Sequence, residues 1–113
     1  MSVVSIQTAK HYVWGGNCDG WYLAATPNLS VIQERVPSGS SEVRHLHNRA
    51  EQFFYVLSGI ATLEVAGELL MLRENEGSHV PAGVPHTISN QHEQLLEFLV
   101  ISTPPSHGDR EDA

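Results

Sequence analysis

The chain has 113 residues, 41% of them hydrophobic, which suits one domain-sized core and excludes a disordered polypeptide. Thirteen acidic residues against six basic ones give a formal charge of −7, so neither a nucleic acid nor an anionic membrane is an expected partner. No apolar run reaches the ~20 residues of a membrane-spanning helix, the first residues lack a signal-peptide pattern, and Cys18 alone cannot build a disulfide framework; a cytoplasmic location is the resulting expectation.

Short β-rich runs separated by turn residues follow one another along the chain. Val31 to Val36 is the first clear run, closed by Pro37-Ser38-Gly39-Ser40. Glu42 to His47 comes next, followed by the polar connection Asn48 to Glu51. Phe53 to Leu57 is aromatic and apolar and ends at Ser58-Gly59. Ala61 to Val65 alternates apolar and polar residues, Ala66-Gly67-Glu68 makes a hairpin turn, and Leu69 to Leu72 returns. Glu74 to Gly77 turns again before Ser78 to Val80, His86 to Asn90 and Leu95 to Ile101. Turn signals spaced by about 8 to 12 residues predict an all-β sandwich or barrel, and no apolar period of 3.6 lasts long enough for a major helix. Pro104 and Pro105 forbid a continuing central strand. The barrel is therefore expected over residues 1–101, with 102–113 an exposed or loosely docked tail.

Seven histidines are many for a chain of this length. His45 and His47 lie two apart on a predicted strand, where alternation points both to one face; on a helix they would diverge by about 200°. Neutral imidazole is the commonest metal ligand, so this pair is a two-point chelate. Gly39 stands before it, Gln52 and Gly59 after it, and Pro81-Ala82-Gly83-Val84-Pro85-His86 with Asn90 follows later.

Residues 39–59 and 75–90 resemble the two motifs of the cupin family, G-x5-H-x-H-x(3,4)-E-x6-G and G-x5-P-x-G-x2-H-x3-N. The resemblance implies an RmlC-like double-stranded β-helix, a jelly-roll barrel. It also implies one divalent metal (zinc, nickel, iron or manganese) on His45, His47 and His86, beside a small pocket. Family members take a fourth ligand from the motif-one glutamate. Here, counting back from Gly59 reaches Gln52, whereas counting forward from His47 reaches Glu51. The Gly59 count is preferred because it runs along an unbroken strand. Gln52, Phe54 and Val56 then face inward, and Phe53, Tyr55 and Leu57 outward. Glu51, or no fourth protein ligand, remains open. Asn75 occupies a motif-two glycine position, and either it or Gly77 takes the bend.

Three imidazoles and an amide leave a divalent charge uncompensated, which suits Lewis-acid chemistry. The set departs from the two-histidine, one-carboxylate iron site of many oxygenases. The expected function is a metal-dependent enzyme, isomerase or lyase or dioxygenase-type, acting on a small oxygenated metabolite or sugar derivative. The alternative is a non-catalytic small-molecule or sugar-binding module. Glu51, Phe54 and His79 are the candidate pocket residues. The outward stripe Phe53, Tyr55 and Leu57 is expected to pack on a second subunit, making a homodimer, or on an N-terminal strand. Cys18 is expected as a buried small hydrophobe, and Ser106, His107 and Asp109 are too close in sequence to preorganise a catalytic triad.

Overall fold

In the computed structural model, which describes all 113 residues, strand alternation sorts the chain into two facing sheets. The first has the order β1 (Lys10–Trp14), β2 (Cys18–Ala25), β3 (Ser30–Val36), β10 (Leu96–Thr103), β5 (Glu51–Ser58) and β8 (Gly77–Val80). The second has the order β11 (Glu111–Asp112), β4 (His45–Leu46), β9 (His86–Ser89), β6 (Ala61–Val65) and β7 (Glu68–Leu72). Every pairing is antiparallel. The fold is all-β, two antiparallel sheets facing one another as the barrel expectation requires, and no helix is long and apolar enough to cross a membrane.

Cross-strand register decides where the core ends and the cavity begins. Val36, Leu96, Val56, Phe98, Phe54 and Val100 point inward from β3, β10 and β5 and lie within the apolar core. Further along the same strands the inward rung becomes Ser30, Ser102 and Gln52, all buried. One end of the interior is thus sealed by hydrocarbon while the other is lined by hydrogen-bonding groups. Gln52, Phe54 and Val56 are buried, and Phe53, Tyr55 and Leu57 lie on the other face, as alternation requires.

Three local features differ from the sequence-based expectation, and one open alternative is decided. β1 and β2 were not legible: the edge strand β1 carries Lys10 and His11, and Gly20 interrupts the apolar pattern of β2. The run Glu42 to His47 shortens to His45–Leu46, because the Glu42 carboxylate accepts the Ile88 N–H at 3.1 Å in place of a strand carbonyl. The bend near residue 75 falls on Asn75, at φ 66°, and not on Gly77. Gly77 is needed for closeness instead, since a Cβ there would sit 2.6 Å from the Phe54 carbonyl and 2.7 Å from the Phe53 ring. Finally, the tail is not loose. β10 runs to Thr103, and β11 pairs with β4, placing Asp112 opposite His45.

The outward stripe on β5 is not covered by the N-terminal strand, which lies at the far edge of the sheet. Ala66 and Gly67, at φ 50° and 91°, form the hairpin turn between β6 and β7.

Gly59 and Gly67 both have positive φ, but only Gly59 is crowded: a Cβ there would lie 2.5 Å from the Leu95 carbonyl, whereas Gly67 has nothing within 4 Å. Urea denaturation should therefore show Gly59→Ala losing about 3 kcal/mol and Gly67→Ala about 1 kcal/mol. Equal losses would mean that backbone strain alone, without the Leu95 contact, holds motif one in shape.

Candidate metal centre and the adjoining cavity

His45 and His86 are opposite one another on β4 and β9, and His47 follows one residue beyond β4. All three are buried. Each ring is held by its Nδ1. His45 Nδ1–H donates to the Val43 carbonyl at 2.7 Å, His86 Nδ1–H to the Val84 carbonyl at 2.9 Å, and His47 Nδ1–H to the Asp109 carbonyl. A neutral imidazole that donates from Nδ1 keeps its lone pair on Nε2. The nitrogen ligands of the three side chains lie within 4.8 Å of one another. Burial pushes the His45 pKa down to about 4 and lowers that of His86, which keeps both rings neutral at pH 7.

Gln52 joins them from β5. Its Nε2 donates to Ser102 Oγ at 2.9 Å, which turns Oε1 toward His86 Nε2 at 3.1 Å. Two acceptors thus face one another without a proton between them. His47 Nε2 is buried and has no hydrogen-bond partner at all. Unpaired buried acceptors are unfavourable, and a cation is what this set lacks. Imidazole nitrogen and amide oxygen suit a borderline divalent metal, and the backbone bonds at Nδ1 are the outer-shell supports that such ligands use. The residues present therefore fit the implied metal.

The site opens into a cavity of about 690 Å³. His45, His47, Gln52 and Phe54 line it, as expected for Phe54. Glu51 and His79 do not, which corrects their placement as pocket candidates. Alternation on β5 turns Glu51 to the outer face, and His79 pairs with Phe53 on that face. There His79 Nε2 lies 2.8 Å from Glu51 Oε1, with both side chains more than half exposed.

Tyr12, Glu34, Glu42 and Arg110 are cavity residues that sequence reasoning missed. Glu34 shares the inward face of β3 with Val36, so the two-residue period was an available signal. Tyr12 reaches it from two strands away. The Tyr12 hydroxyl donates to Glu34 Oε2 at 2.8 Å, crossing β2 at Gly20, where a Cβ would lie 2.2 Å from the phenol ring. Burial pushes the Glu34 pKa up to about 7, and burial together with neighbouring Glu34 pushes Glu42 up to about 8. Burial and the Glu34 charge also raise the Tyr12 pKa, so the phenol stays protonated. Asp109 is held by three backbone amides, so it cannot serve His107 as a triad partner.

A profile of the cupin domain matches residues 32–102. Over 88 residues the chain is 27% identical to the mannose-1-phosphate guanylyltransferase of Klebsiella pneumoniae; the match covers 78% of this chain and 18% of that one. The chain thus spans less than a fifth of that curated relative. Among solved structures, KdgF from Halomonas sp. is similar at a TM-score of 0.85 and 19% identity, covering 95% of this chain and 98% of that one. The polyketide cyclase RemF from Streptomyces resistomycificus is similar at a TM-score of 0.85 and 21% identity, covering 100% and 85% respectively. At such identities the two structures speak for the barrel and not for a shared reaction. The profile match runs from within β3 almost to the end of β10, and on that ground the chain belongs to the cupin family.

Proposed function

We propose that this cupin is a metal-dependent enzyme that isomerises, or eliminates from, a small oxygenated metabolite or sugar derivative, with His45, His47, His86 and Gln52 as metal ligands. One observation carries the choice of enzyme over binding module. Glu34, whose pKa burial raises to about 7, lines the same cavity as His45 and His47 and keeps one carboxylate oxygen free of protein donors. A carboxyl tied on one oxygen by Tyr12 and open to the cavity on the other is placed to exchange a proton with a bound ligand, which favours turnover over binding alone.

A divalent metal on these ligands would supply Lewis acidity toward a carbonyl or hydroxyl oxygen. The protein's own groups do the rest. Gln52 contributes an oxygen donor oriented by Ser102. Tyr12 holds one Glu34 oxygen, leaving the other to take a proton and return it to a neighbouring atom of the ligand. Phe54 and Val100 give the cavity an apolar wall that limits water beside the reacting group. The donor set lacks the carboxylate of the common iron oxygenase site, so isomerase or lyase chemistry is preferred to dioxygenase chemistry. The guanylyltransferase relative, named for a sugar phosphate, supports an oxygen-rich carbon compound as ligand. A homodimer built on the outer face of β5 belongs to the same reading, supported by Phe53 being 39% exposed there.

Elemental analysis of protein purified without chelator or polyhistidine tag should find about one equivalent of one divalent metal. His86→Ala should lose it while keeping the far-UV spectrum of the barrel. Full metal in that variant would remove His86 from the site. No metal in the wild type after incubation with Fe²⁺, Ni²⁺ and Zn²⁺ would favour the binding module.

Glu34 also makes a prediction about stability. A buried carboxyl with a folded pKa of about 7 binds a proton in the folded state that the unfolded chain, at about 4.5, has released. Stability contributed by this group is therefore full below about pH 4.5 and is lost as pH rises to about 7. Burial opposes the charged form, the Tyr12 hydrogen bond and the Arg110 charge favour it, and the net shift is upward. Glu34→Gln should raise the melting temperature at pH 8 by several degrees and leave it nearly unchanged at pH 4.5. A variant less stable than wild type at pH 8 would show that the Tyr12 bond outweighs desolvation of the carboxylate.

A further inference from the structure

Beyond Thr103 the chain passes from β10 to the cavity, whose wall takes Pro105, Ser106, His107, Gly108 and Arg110 from it. Three attachments fix this segment beside the histidines. The Asp109 carboxylate accepts the N–H groups of Asn48, Arg49 and Ala50 at 2.9, 2.9 and 3.0 Å, immediately after His47. The Asp109 carbonyl accepts Nδ1–H of His47 itself. Arg110 Nη2 donates at 3.1 Å to the Val43 carbonyl, the same oxygen that receives Nδ1–H of His45. β11 then pairs with β4 across His45 and Leu46. The segment supplies the orienting partner of one histidine and shares that of a second.

We propose that residues 104–113 are a clamp on the metal centre, in which Asp109 is a positioning residue that holds His47 in its ligating tautomer. This rests on reading the triad as a metal site. Without the Asp109 carbonyl, the His47 ring can rotate and its proton can move to Nε2, and both changes remove a ligand. Ordering the ring beforehand lowers the entropy lost when metal binds. Linkage is reciprocal: if docking of the segment strengthens metal binding by some factor, metal strengthens docking by the same factor. Outer-shell partners of metal ligands typically matter by about 10- to 100-fold in affinity.

Two measurements test this. Zinc affinity is determined by competition with a chromophoric chelator for wild type, Asp109→Ala and Asp109→Asn. Amide hydrogen exchange of residues 104–113 is followed by mass spectrometry with and without saturating zinc. Asp109→Ala keeps the carbonyl but loses the carboxylate that seats it against residues 48–50, so it should bind zinc about 10- to 100-fold more weakly, and Asp109→Asn, which keeps one acceptor oxygen, should recover part of the loss. Zinc should slow exchange across 104–113 in wild type and leave it unchanged in His86→Ala. Equal zinc affinity in wild type and Asp109→Ala, or wild-type exchange that ignores bound zinc, overturns the clamp while leaving the metal site standing. A wild type that takes up no zinc overturns both. If Asp109→Ala fails to fold, the zinc dependence of exchange in the wild type decides alone.

Discussion

Three imidazoles donate Nδ1–H to backbone carbonyls, and the chemistry available to the cavity depends on where that leaves Nε2. The carbonyls come from three parts of the chain: the approach to β4, the turn before β9 and the segment after β10. Two of them, Val43 and Val84, lie two residues before the histidine they hold, so those rings are fixed by local backbone geometry. The third arrives from 62 residues away. Local contacts thus preset two lone pairs, and closure of the barrel presets the third. The Gln52 oxygen completes the arrangement, with its amide nitrogen tied to Ser102 on the neighbouring strand.

Such an arrangement works against folding. Buried acceptors without donors, and carboxyls whose ionisation is opposed by burial, are both unfavourable in the isolated barrel. The apolar end of the interior offsets them. Val36, Val56, Leu96 and Phe98 are essentially inaccessible, and they sit on the same three strands that carry the polar rung. Stability and reactivity are therefore divided along the strand axis, at a few residues' distance. That division lets either end be altered with limited effect on the other.

Much of the barrel was legible from the sequence because its period of two is strict where one face is buried. β5 displays it from Gln52 to Val56, and the hairpin between β6 and β7 is announced by Ala66-Gly67. The cupin motifs located the histidines for the same reason, since strand alternation converts an i, i+2 spacing into a shared face. The cavity opposite was harder. Glu34 sits in phase with Val36, yet a glutamate in a strand normally reads as solvent-facing, and only the closing of the barrel shows that it points inward. Tyr12 lies on an edge strand of mixed polarity. Asp109 works through a contact of such sequence separation that no local pattern reports it. His79 misled because its neighbour Pro81 belongs to motif two, whereas its own register follows Phe53.

Gly20 shows how far the influence of one position can extend. The Tyr12 ring occupies the space where its side chain would be, so the phenol reaches across a whole strand to Glu34. Position 20 contributes no atom to the cavity wall, and yet it governs whether a carboxyl there has a hydrogen-bonded neighbour. A single methyl added to β2 would displace the ring and change the proton affinity of a group on the neighbouring strand. Acidity inside this barrel is thus adjustable from its scaffold, by what a strand leaves out.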